Sequence, residues 1–190
     1  NHLLYSLNPY NILEDESERL NSKILRAAIL IDGGSRESNI GAINEGIVQY
    51  RNLCSEIDND HIRYNLANGL GFASQIHDPQ KDWLEQREST RFLRSEARQL
   101  YWLVSSNRNS DLALRTQSWT NLANLFSDSF RVWEAHDSWH SALQLDPQNG
   151  VAAASAARNL FWLCEQADGS DFTWQEALNL ANIAKLNNER

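Results

Sequence analysis

Apolar residues recur along this chain at helical rather than strand spacing. From Trp119 the apolar positions fall at Trp119, Leu122, Ala123 and Phe126, and from Ala135 they fall at Ala135, Trp139, Ala142 and Leu143. Steps of three and four residues put each set on one stripe of a helix, because a helix turns once every 3.6 residues. Ser127, Asp128 and Ser129 form a polar break between the two stripes. Asp146-Pro147-Gln148-Asn149-Gly150 closes the second, since proline has no amide hydrogen to continue a helix. Together these segments predict a helix hairpin closed by a turn. Three prolines, eight glycines and few β-branched runs leave little room for strands.

The pattern repeats. Asn121-Leu122-Ala123-Asn124 has an earlier counterpart in Asn65-Leu66-Ala67-Asn68, and the pair Glu134-Ala135 recurs as Glu96-Ala97 and Glu176-Ala177. The same +4, +3 spacing follows in Ala97, Tyr101, Val104; in Ala135, Trp139, Ala142; and in Ala177, Ala181, Ala184. Gly46, Tyr50 and Leu53 keep it upstream. About four hairpins are expected, over 12–57, 60–106, 111–146 and 150–188, within a single domain spanning 1–190. The second carries an insertion over 76–90, where Asp78-Pro79 is expected to cap and open a helix. The fourth extends its first helix through Phe161-Trp162-Leu163-Cys164, turns at Asp168-Gly169-Ser170 and restarts at a Thr173–Glu176 capping box. The seven tryptophans are expected mostly to fill the core.

Residues 116–149 resemble the 34-residue tetratricopeptide (TPR) repeat at Trp119, Leu122, Phe126, Ala135, Trp139, Ala142 and Pro147. Two positions depart from the pattern. Ala123 stands where glycine is usual, and still permits close helix contact. Phe130 stands where the interhelix turn usually has glycine, and a bulky side chain resists a positive φ. The resemblance implies an all-α fold, a right-handed α-solenoid of degenerate hairpins, whose first helices line a groove for a protein or peptide. Mapped onto this chain, groove positions fall at Tyr64, Asn68, Gln117, Thr120, Asn124 and Arg158. Members that clamp acidic chaperone tails need Lys and Arg where this chain has Tyr64, Thr120, Val151 and Ser155, so such a clamp is not expected. The run from Arg115 to Asn159 also looks like the TPR arrays that precede HEPN ribonuclease domains in bacterial defence proteins. That likeness implies the alternative of a sensor or regulatory segment, the nuclease lying elsewhere.

Charge narrows the partner class. The net charge is -8, and an acidic chain is a poor non-specific binder of nucleic acid, because phosphate affinity rests on Lys and Arg. Residues 61–108 are locally basic, however, with seven bases against five acids. Within them Arg87, Arg91, Arg94 and Arg98 follow steps of 4, 3 and 4, one face of a helix. Such a row could hold phosphates or a partner's carboxylates, although Glu85, Glu88 and Glu96 stand close enough in sequence to neutralise it. Nucleic acid is therefore the secondary expectation, and a protein or peptide partner the first.

No catalytic constellation emerges. His136 and His140 share a helix face at i, i+4, but lack a third ligand, so no metal is expected. Arg131 and His136 echo the short Arg–His signature of HEPN ribonucleases, a pattern the repeat itself accounts for. Gly69-Leu70-Gly71 falls inside a helical pattern without the strand and lysine of a phosphate loop. No cofactor is implied. Cys54 and Cys164 stand far apart and without metal-ligand spacing, which suggests buried thiols and a reducing cytoplasm. No stretch is apolar enough to span a bilayer, and the mean hydropathy is -0.55. The sequence opens on Asn1 and contains no methionine, which reads as a segment of a longer product.

Overall fold

A computed structural model describes residues 9–166 and 171–188. Among the described residues every regular element is an α-helix: α1 (Pro9–Arg36), α2 (Ile40–Glu56), α3 (Asp60–Ala73), α4 (Trp83–Ser106), α5 (Leu112–Ser127), α6 (Val132–Leu145), α7 (Gly150–Gln166) and α8 (Asp171–Asn188). The all-α expectation holds, and the helices fall in the order of the expected hairpins. Among the described residues none is long and apolar enough to cross a membrane. The chain divides into two compact units, Asn1–Thr90 and Arg91–Arg190. The division falls inside α4, so the segment 60–106, read from sequence as one hairpin, contributes to both.

The helix boundaries follow from local hydrogen bonding. Asn59 starts α3 by accepting from the amides of His61 and Ile62 at 2.8 and 3.2 Å, which satisfies donors that no helical carbonyl can reach. Asp111 does the same for α5 through Leu114 N, and Asn149 for α7 through Ala152 N. The start of α4 differs from expectation. Asp78 closes a turn onto Gln80 N, whereas Asp82 caps the helix at Leu84 N and Glu85 N while Glu85 reaches back to Asp82 N. That reciprocal box satisfies more orphan donors than Asp78-Pro79 could, and it moves the helix start four residues on. At the other end α8 begins at Asp171, which puts Thr173 inside the helix rather than at its cap; the turn expected at 168–170 lies outside the described residues.

In the first unit α1, α2 and α3 pack on one another. Gly46 permits a close approach of α2 to α1. A Cβ there would stand 2.7 Å from Ile31 Cγ1 and 3.0 Å from the Ala27 carbonyl oxygen. Tyr50 ties the three helices. Its hydroxyl, on α2, donates to Ile24 O on α1 at 3.2 Å and meets Asn65 on α3. Burial pushes the phenol above its ordinary pKa, and the Asn65 hydrogen bond only partly offsets it.

In the second unit α5 packs on α6, α6 on α7, and α7 on α8. The core gathers Ala135, Trp139 and Ala142 with Ala153, Ala156 and Leu160 of α7 and Ala177 of α8. The positions picked out by +4, +3 spacing face inward: Ala97, Tyr101 and Val104 are buried, as are Gly46, Tyr50 and Leu53, while Ala181 is half-buried between buried Ala177 and Ala184.

The tryptophans do not behave as expected. Trp139 alone is buried, at 1% exposure, whereas Trp83, Trp102, Trp133, Trp162 and Trp174 are exposed and Trp119 is half-buried. In α6 the inward stripe has one large slot, filled by Trp139, and the small residues Ala135, Ser138 and Ala142 fill the rest. Trp119 packs on the edge of the core, and the five exposed indoles lie off the inward faces of their helices. Cys54 is half-buried and Cys164 buried, and neither is in a disulfide.

Candidate binding clefts of the second unit

The end of α5 organises the site. The amide of Arg131 donates to Phe126 O at 2.9 Å and that of Phe130 to Ser127 O at 3.0 Å. These paired bonds are a Schellman motif, which requires a left-handed residue just past the helix. Phe130 is that residue, at φ 56°. Glycine would adopt this conformation without strain; phenylalanine stays there exposed, with its ring held out in solvent. The apolar contact that usually closes the motif is made by a cation. The Arg131 guanidinium lies 4.7 Å from the centre of the Phe126 ring.

A groove of about 490 Å³ opens beside this turn. Its floor is the α5 stripe of Trp119, Leu122 and Phe126. One wall is α4, which contributes Arg98 and, one turn later, Trp102; the other is the start of α6, with Arg131, Glu134 and Asp137. Trp102 is 54% exposed. The Arg98 guanidinium also lies over the Phe126 ring, 5.8 Å from its centre. Burial lowers the Arg98 pKa, and repulsion from Arg131 and Arg94 lowers it further. Arg131 is balanced by Glu134, to which its Nε and Nη2 donate at 2.9 and 2.7 Å. Those bonds hold the Glu134 carboxyl below its ordinary pKa. Arg98 and Asp137 have no ion-pair partner among the described residues.

A second cleft, of about 280 Å³, lies between the α5–α6 turn and α7. Phe130 and Trp162 rim it, and Arg158, Ser155 and the inner Trp139 line it. Its lip is fixed by Asn159, buried on α7, whose Nδ2 donates to Val132 O at 3.0 Å.

The sequence-predicted groove residues fall in both units, and those of the second unit do not share one cleft. Tyr64 and Asn68 are half-buried on α3 of the first unit. Gln117 lines a separate shallow cleft with Pro147, Asn124 is exposed on α5, and Arg158 lines the second cleft. Thr120 needs correcting. It is 6% exposed and its hydroxyl donates to Thr116 O at 3.0 Å, so it offers a ligand almost nothing. The arginine row is also divided. Arg87 is exposed in the first unit and Arg91 in the second, while Arg94 donates to Asp128 O at 3.1 Å and Arg98 turns onto Phe126.

The rings of His136 and His140 stack 6.3 Å apart, and His136 Nε2 faces Glu176 Oε1 at 3.7 Å. Among the described residues no group of three or more His, Cys, Asp or Glu could hold a metal. Arg131 points to Phe126 and Glu134 while His136 points to α8, so the Arg–His pair is not brought to one place.

No family model matches the chain, and none of the curated proteins matches it.

Trp102, Trp119 and Phe126, which line the first groove, do not stand out in the sequence because large aromatic residues read as core by default. The signal was present in α4. Tyr101 occupies the inward slot, so its neighbour Trp102 had to face out, one turn from Arg98.

Proposed function

We propose that this chain is a TPR-like helical-repeat scaffold that binds a peptide segment of another protein through the second unit. The observation that carries the reading is the groove of α4, α5 and α6, which presents Trp102, Trp119 and Phe126 beside two guanidiniums. Exposed aromatics and arginines are the residue types that concentrate binding energy at protein interfaces. A groove near 490 Å³ lies within the range of roughly 300–1,000 Å³ that accommodates ligands. Support for a repeat scaffold comes from the recurrent small–aromatic–aliphatic positions of α2, α4 and α6, which are buried in each. A cytoplasmic setting is part of the same proposal.

Nucleic acid has less in its favour. Arg94 and Arg98 are engaged with Asp128 O and Phe126, Glu134 and Asp137 line the groove, and the net charge is -8. Phosphate chains bind where cations are displayed without such competition.

The test is selection from a random peptide display library on the whole chain, with an unrelated helical protein as control. Enriched clones that quench or shift tryptophan emission support the proposal. No enrichment above the control would overturn it.

A further inference from the structure

We propose that the α4–α5–α6 groove takes a peptide segment of alternating charge: an acidic residue set against Arg98, an aromatic or aliphatic side chain between Trp102 and Trp119, and a basic residue set against Asp137. This rests on the peptide-binding reading above and adds the chemistry of the occupant. Two charges in the lining lack a counter-ion among the described residues, Arg98 on the α4 wall and Asp137 on the α6 wall. Their neighbours are already satisfied, since Arg131 and Glu134 neutralise each other. A partly buried guanidinium beside two other arginines is an unfavourable place for a lone cation. An incoming carboxylate relieves both the repulsion and the loss of solvation.

The floor between the walls is apolar. Trp119, Leu122 and Phe126 give an aromatic or aliphatic side chain a surface to cover, and the exposed Trp102 ring can close over it. The sign change across the groove selects the class of partner. A polyphosphate carries one sign throughout and would meet Asp137 and Glu134; a peptide can present acid, ring and base in turn.

The experiment extends the display selection to three proteins: wild type, Arg98→Glu and Asp137→Lys. On the wild type the enriched sequences should share an acidic, an apolar and a basic position. On Arg98→Glu the acidic position should become basic, and on Asp137→Lys the basic position should become acidic. A synthetic wild-type consensus peptide should bind each variant about tenfold more weakly or worse, the loss of one desolvated charge contact. Thermal unfolding checks each variant. Should a charge reversal fail to fold, Arg98→Gln and Trp102→Ala replace it, and both should weaken the consensus peptide. A consensus without the charged positions, or one unchanged on the variants, overturns this inference and leaves peptide binding standing. Enrichment of nothing overturns the peptide reading itself. Tight binding of a single-stranded oligonucleotide probe that Asp137→Lys strengthens would assign the groove to nucleic acid and overturn the inference as well.

Discussion

Replacing Phe130 by alanine and, separately, by glycine isolates the strain in the α5–α6 turn. Phe130 sits at φ 56° and is 85% exposed. A side-chain-bearing residue in the left-handed region costs roughly 1–2 kcal/mol. The ring hides only a small part of the roughly 200 Å² an aromatic carries, about 30 Å², or about 0.7 kcal/mol of burial. Both variants lose that ring contact, but only glycine removes the strain. Glycine gives back roughly 0.4–1 kcal/mol through the entropy of the unfolded chain. Phe130→Gly should therefore be more stable than Phe130→Ala by about 1 kcal/mol, which corresponds to about 2–4 °C in Tm for a chain of this size. Phe130→Ala should fall slightly below wild type, and Phe130→Gly should match or exceed it. Urea denaturation followed by far-UV circular dichroism, with all three proteins in one buffer, reads the difference. Equal stability of the two variants, or alanine above glycine, would refute both the strain and the turn geometry from which it is inferred.

Three further outcomes are expected. Gly46→Ala should destabilise the first unit by about 1–3 kcal/mol, because its Cβ would press on the Ala27 carbonyl as well as on Ile31; Gly69→Ala should cost less, since the nearest atom there is the flexible end of Ile31, and chemical denaturation ranks the two. Tyr50→Phe should cost about 1 kcal/mol by deleting the donor to Ile24 O. Because the folded phenol titrates above its ordinary value, its contribution is complete below that value and lost as pH rises through the folded pKa; wild type should thus lose more stability than Tyr50→Phe at strongly alkaline pH. The Glu134 carboxyl should titrate below an ordinary glutamate in an NMR titration, the direction set by the Arg131 hydrogen bonds, and Arg131→Gln should raise it. Its stabilising contribution is present above the ordinary glutamate value and lost as pH falls through the depressed one.

Helix identity and the inward stripes were legible because they depend on local periodicity. Ala135, Trp139 and Ala142 had to share a face whatever packed against them. The turn after α5 was only half legible: Phe130 stands at a glycine position and a bulky side chain resists a positive φ, yet the chain accepts the strain there. Cap choice was less so. Asp78 and Asp82 are both good caps, and only the return bond from Glu85 decides between them.

The site was mostly hidden. Groove residues come from three helices, and which outward face of α4 meets α5 depends on a packing arrangement that spacing does not encode. A tryptophan also carries the same letter whether it fills a core, as Trp139 does, or walls a groove, as Trp102 does. Thr120 was misplaced for a related reason. Spacing places it on a helix face but does not show that its hydroxyl can satisfy itself on Thr116 O and so tolerate burial.

Peptide binding in the α4–α5–α6 groove is tested most directly by the indole N–H resonances of the isotope-labelled chain during titration with a selected peptide. Binding there shifts the Trp102 and Trp119 indole signals, saturates at one peptide per chain, and leaves the amides of Tyr64 and Asn68 unmoved. Shifts concentrated at Tyr64 and Asn68, with both indoles unchanged, would contradict it.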